Sequence, residues 1–152
     1  MDDPAFLERF EATAISREAW THESHLRMAY LYLQTLDFGA ALNRMREGIQ
    51  RLNAANRVPE NLHSGYHETL TVAWARLVAE AIRRTPPVAS FDEFLAANPE
   101  LLEKTFVLRY YSRPLLFSAE ARRSWVEPDR ESLPGELSEG RDRSCDRPVS
   151  AS

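Results

Sequence analysis

The chain contains four histidines, and their spacing groups them into two pairs. His22 and His25 are three positions apart, and His63 and His67 are four apart. Side chains at these separations lie on one face of an α-helix, so each pair could present two imidazoles to one metal ion. A nitrogen-rich set with optional carboxylate oxygens suits a divalent transition metal, such as zinc, copper, iron or manganese. The sequence therefore predicts a metal site that draws on all four histidines.

Other metal-site classes are excluded by composition. Cys145 is the single cysteine, so a disulfide framework and a zinc site built on several thiolates are both ruled out. The chain has no HExxH segment, which excludes the usual zinc-protease motif. The histidines are thus the metal-binding candidates that remain.

Three further side chains are candidates for catalytic roles. Glu68 follows His67 directly and could serve as a carboxylate ligand or as a general base. Arg109 interrupts a segment that is otherwise apolar, and an arginine in such a setting needs an anionic partner. We predict that Arg109 and Tyr110 contact a substrate near the histidines. An internal ion pair of Arg109 with a carboxylate is the simpler alternative, and on general grounds the more common one.

Two other interpretations of the histidines stay open. They could be core residues whose ring nitrogens are hydrogen-bonded to neighbouring polar groups, or they could line a metal-free pocket for a small ligand. In the pocket interpretation Trp20, Tyr32 and Trp74 would form its walls, although aromatic side chains on helical stripes more often belong to a plain core.

Helical periodicity dominates the chain up to about residue 128. Apolar residues recur at steps of three and four, and no stretch alternates in the manner of a β-strand. We predict an all-α, compact helical bundle of about six helices with a core like that of a four-helix bundle. Helix starts are predicted at residues 3–4, 16 or 21, 37, about 65, 90, 98–99 and 118. The helix that starts at 98–99 is predicted to run to about Tyr111, and because it is apolar almost all round we expect it to be central and buried.

This helix order bears directly on the histidines. One helix separates the predicted helix 21–36 from the predicted helix 66–84, so in an up-and-down bundle these two run parallel. Both histidine pairs lie at or near the N-terminal ends of their helices. The topology therefore predicts that the imidazoles meet at one end of the bundle.

The last 24 residues differ from the rest. Residues 129–152 carry no aromatic side chain and little apolar surface, so we predict a disordered tail after a bundle domain of residues 1–128. The net charge of -4 gives no electrostatic footprint for nucleic acid. There is no signal-peptide pattern and no apolar run long enough for a membrane span, so we expect a cytoplasmic protein without membrane contact. The oligomeric state stays open.

Three short segments of the chain are notable together, namely Trp20-Thr21-His22-x-x-His25-Leu26, Gly65-Tyr66-His67-Glu68-Thr69 and Arg109-Tyr110-Tyr111-Ser112. They resemble segments of a family of small uncharacterised bacterial helical proteins, and the resemblance covers about residues 4–128. That family implies no mechanism. The chain is also similar in size and histidine use to the DinB-like metal-binding bundles. Those bundles are expected to draw a metal ligand from a late helix as well, whereas both histidine pairs of this chain lie in its first half. The likeness therefore concerns architecture alone.

The leading functional hypothesis is a helical metal-binding protein. A metalloenzyme that activates water or dioxygen is one form of it, with an open metal position beside the histidines. A metal-free small-molecule binding module and a protein-interaction scaffold that recruits a partner through its tail are the alternatives.

Overall fold

The helices begin where polar side chains can accept the free N–H groups of the first turn. In the computed structural model, which describes residues 1–135, Thr21, Asp37, Ser90 and Ser118 cap helices as predicted, each accepting from the N–H three positions on. The helices are α1 (Asp3–Glu11), α2 (His22–Thr35), α3 (Phe38–Ala55), α4 (Glu68–Arg84), α5 (Phe91–Ala97), α6 (Arg113–Leu116) and α7 (Ala119–Arg123). Residues 1–135 contain no β-strand, so the all-α prediction is confirmed.

The core lies between α2, α3 and α4, which all contact one another. The α1 helix packs on α2 and α3, and it approaches α3 closely because Gly48 leaves room for the Phe10 ring. A Cβ at Gly48 would collide with that ring. The α5 helix adds Phe91 and Phe94, which pack with Tyr30 of α2.

The segment after α5 differs from the predicted helix over residues 99–111. It forms two short 3-10 segments, Pro99–Leu102 and Lys104–Arg109, and it is not buried all round. Leu101 and Val107 are buried, whereas Leu102 is 43% exposed. The segment is therefore a one-sided wall of the core and not the central helix that its apolar composition suggested.

The start of α4 also differs from the prediction by three residues. Gly65 has a backbone φ of 94°, in the left-handed region that favours glycine, so the chain is still turning at this point. The helix begins at Glu68, and His67 is its N-cap.

Ordered packing continues past the predicted boundary at residue 128. Leu133 is 2% exposed in the core, and the carboxylate of Asp129 accepts from both the N–H and the hydroxyl of Ser112. The rest of the predicted tail, residues 136–152 with Cys145, lies outside the described residues. Among residues 1–135, no helix is both long and apolar enough to cross a bilayer.

Candidate functional site

A cavity of about 710 Å³ lies where α2, α3 and α4 meet the residues that follow α5. Three of the four histidines, His22, His25 and His67, line it. His22 and His25 belong to the first turn of α2, and His67 caps α4, so the N-terminal ends of both helices reach this cavity. These three side chains therefore line one cavity, whereas the predicted meeting of the imidazoles as a cluster stays a prediction.

The His67 ring has both of its nitrogens occupied. Its Nε2 lies 2.8 Å from the carbonyl oxygen of Leu116, and its Nδ1 accepts from the N–H of Leu70 at 3.1 Å. A carbonyl can only accept and an N–H can only donate, so the ring is the neutral tautomer with its proton on Nε2. Coordination of a metal by His67 would break one of these two hydrogen bonds.

Within the part of the chain that the structure describes, His22 and His25 each keep one nitrogen uncommitted. The Nε2 of His22 donates to the carbonyl oxygen of Leu101 at 2.8 Å, and the Nδ1 of His25 donates to that of Thr21 at 2.8 Å. These bonds leave the Nδ1 of His22 and the Nε2 of His25 as acceptors when the rings are neutral.

Aromatic rings hold both imidazoles in place. The ring of Trp74 meets His22 edge-on at a centroid distance of 4.7 Å, and the ring of Trp20 lies 4.1 Å from that of His25. Both tryptophans line the cavity, as the pocket interpretation predicts. Tyr32 does not line it, because it lies about two turns beyond His25 along α2, where its hydroxyl donates to Glu11 of α1.

Burial keeps all three cavity histidines neutral near pH 7. It lowers the pKa of His25 to about 4, and it also lowers the pKa values of His22 and His67. The hydrogen bonds to backbone carbonyls oppose this effect without cancelling it. Neutral imidazoles with a free lone pair can accept a hydrogen bond or bind a metal.

His63 does not join the other three. It lies exposed in the loop before α4, where its backbone N–H donates to the side chain of Asn61. The helical face that its spacing from His67 suggested does not form, because α4 begins only after His67. Across residues 1–135, no group of three or more His, Cys, Asp or Glu side chains is placed to hold a metal ion.

Glu68 points away from the cavity and is held by two donors. The guanidinium of Arg46 donates to its carboxylate at 2.6 and 3.0 Å, and the hydroxyl of Tyr66 donates to it at 2.5 Å. Burial alone would raise the pKa of Glu68, but these bonds outweigh it and lower the pKa. A carboxylate so committed is a weak base, so the geometry does not favour the predicted catalytic role.

Arg109 and Tyr110 lie apart from the histidine cavity. Arg109 is exposed and pairs with Glu131 at 3.2 Å, so the simpler ion-pair interpretation describes it better than a buried substrate contact. Tyr110 is buried, and with Arg109 it borders a separate polar cleft of about 310 Å³.

The sequence patterns assigned no role to three cationic side chains that line the cavity. They are Arg17, which precedes α2, and Lys104 and Arg113, which follow α5. None of them belongs to a helical stripe or a spaced motif, so periodicity carried no signal for them. The composition does distinguish one of the three, because Lys104 is the only lysine in the chain.

No family model matches the chain, and neither a curated protein nor a solved structure shows significant similarity to it. The resemblance to small bacterial helical proteins therefore stays a prediction, and the cavity is the feature of the molecule that points to a function.

Proposed function

We propose that the protein binds a small, largely apolar molecule in the histidine-lined cavity. Its volume of about 710 Å³ falls within the range of small-molecule sites, about 300–1,000 Å³. Leu70, Trp74 and Val107 are among its apolar walls. The observation that carries the proposal is the combination of such walls with two imidazole nitrogens that have no partner among residues 1–135.

The histidines supply polar selectivity in this proposal. The Nδ1 of His22 and the Nε2 of His25 would accept from an O–H or N–H group of the ligand. A ligand without such a donor would gain only from burial of its apolar surface. His67 would not contact the ligand through a nitrogen, since its two hydrogen bonds hold the wall of the cavity together.

A transition metal held by His22 and His25 is the second candidate. The same two uncommitted nitrogens favour it, and the remaining ligands would come from water or from a bound molecule. It would be a two-histidine site, in place of the four-histidine site predicted from the sequence. His67 and His63 would take no part.

Fluorescence of N-phenyl-1-naphthylamine, an uncharged apolar probe, tests the leading proposal. We expect saturable enhancement with one site per chain, unchanged by EDTA. Leu70→Trp on α4 would fill the cavity and abolish the enhancement. Ile82→Trp is the matched control, because Ile82 is a partly buried residue of the same helix outside the cavity.

Two outcomes would contradict the proposal. One is an absence of saturable binding, and the other is an equal loss in both tryptophan variants. Metal analysis of tag-free protein distinguishes the second candidate. Stoichiometric metal that disappears in the His22→Ala and His25→Ala variants would favour the two-histidine metal site over a metal-free pocket.

A further inference from the structure

Within the described residues 1–135, the charged side chains that line the cavity are all cationic. Arg17, Lys104 and Arg113 face it, and no aspartate or glutamate from this range does. This contrasts with the whole chain, which carries 23 acidic against 19 basic side chains. The cavity is thus a locally positive region of an acidic protein.

These three cations have no partner in the protein among residues 1–135. Other arginines there are paired, such as Arg46 with Glu68 and Arg27 with Asp3. The side chains of Arg17, Lys104 and Arg113 make neither an ion pair nor a hydrogen bond within that range. Each is exposed, so the positive charge lies towards the mouth and not at the apolar base.

The α2 helix adds to the positive electrostatic potential of the cavity. Its N-cap Thr21 and its first residue His22 both line the cavity, so the positive end of the helix dipole is directed there. A cleft lined by one sign of charge with apolar walls focuses that potential and concentrates ligands of the opposite charge.

We propose that the ligand is an organic anion with an apolar body. The inference rests on the proposed small-molecule function and specifies its ligand. The apolar part would occupy the cavity between Leu70 and Val107, and the anionic group would lie among the cations at the mouth. Its charge would meet Lys104 and Arg113, and the neutral imidazoles below would contact the uncharged part.

A matched pair of probes tests this. 1-Anilinonaphthalene-8-sulfonate has the same rings as N-phenyl-1-naphthylamine and adds one negative charge. We expect the anionic probe to bind more tightly, and the triple variant Arg17→Gln/Lys104→Gln/Arg113→Gln to weaken it about tenfold, since an exposed ion pair contributes a factor of about two or more. Binding of the uncharged probe should change by less than about twofold.

The control variant is Arg51→Gln/Arg123→Gln/Arg130→Gln, which removes the same charge from exposed positions outside the cavity. Equal weakening in both triple variants would overturn the inference, as would equal affinity for the two probes. If neither probe binds, the proposed function itself fails, so the two failures are distinguishable.

Competition experiments then show whether the apolar body of the anion is aliphatic or aromatic. Displacement of the anionic probe by decanoate but not by 2-naphthoate would indicate an aliphatic carboxylate, and the reverse would indicate an aromatic one. Decanol is the uncharged control for decanoate. Displacement by decanol as effective as that by decanoate would contradict recognition of the charge.

Discussion

The Nε2 of His67 and the carbonyl oxygen of Leu116 lie 2.8 Å apart, and this hydrogen bond joins the start of α4 to the end of α6. The same ring caps α4 through its Nδ1. One side chain therefore begins a long helix and also anchors a segment 49 positions further along the chain. Its place on the wall of the cavity reflects this structural role.

The two functions of His67 can be separated by substitution. His67→Ala removes both hydrogen bonds and should lower the free energy of unfolding by about 2–3 kcal/mol. His67→Asn retains a good N-cap but is too short to reach Leu116, so it should lose about 1 kcal/mol less. Urea denaturation measures both, and His63→Ala should lie within about 0.5 kcal/mol of the parent protein. Equal losses for the two His67 variants would contradict the capping role.

Stability should fall as the pH falls from 7 to 5. The folded protein keeps His22, His25 and His67 neutral because burial lowers their pKa values, whereas the unfolded chain takes up protons near pH 6.5. The unfolded state then binds more protons, so each histidine costs up to about 1.4 kcal/mol of stability per pH unit. For His25 this loss extends from about pH 6.5 to about pH 4, its pKa in the folded protein.

Urea denaturation at pH 5, 6 and 7 measures this slope. Asn has a side-chain N–H in place of the His25 Nδ1–H, and it does not titrate. His25→Asn should therefore reduce the slope of the free energy of unfolding against pH, by up to the amount that one titrating proton contributes. An unchanged slope in this variant would show that His25 is not held neutral by the fold.

Glu68 should affect stability without affecting the cavity. Glu68→Gln weakens the ion pair with Arg46 and should lower the free energy of unfolding by about 1–2 kcal/mol. A double-mutant cycle with Arg46→Gln should assign about 1 kcal/mol to the pair, because both side chains are partly exposed. Binding of either fluorescent probe should not change. A large loss of probe binding in Glu68→Gln would return Glu68 to the functional site.

Two glycines of α3 should respond to alanine with opposite signs. Gly48→Ala places a methyl group against the Phe10 ring and should destabilise the protein by about 1–3 kcal/mol. Gly39→Ala meets only Asp37 Oδ1 at 3.8 Å, and it should stabilise the helix by about 0.5–1 kcal/mol. Thermal denaturation of the two variants checks this, and similar effects of the two substitutions would contradict the close approach of α1 to α3.

The local features of this fold were predictable from the sequence, because their causes lie within a few residues. Thr21, Asp37 and Ser118 cap helices through bonds to N–H groups three positions on. The approach of His22 and His67 to one cavity was also accessible, since it needs only helix lengths and up-and-down order.

The partners of the imidazoles were not predictable. The imidazoles of His22 and His67 are hydrogen-bonded to the backbone carbonyls of Leu101 and Leu116. Every residue has a backbone carbonyl, so no residue type in the sequence marks these partners. Arg109 was placed on a buried helix because its segment is apolar, but the chain forms 3-10 turns there and exposes it. The spacing of His63 from His67 had a helical value by coincidence, because His63 precedes the helix.

The two backbone carbonyls that fix His22 and His67 also set the order in which the site can form during synthesis. They lie 79 and 49 positions after their histidines, so a growing chain that ends at α4 contains neither of these carbonyls. Contacts this distant in sequence carry a large loop-closure entropy, which slows folding. Residues 101–116 must therefore leave the ribosome before the cavity can have its second wall.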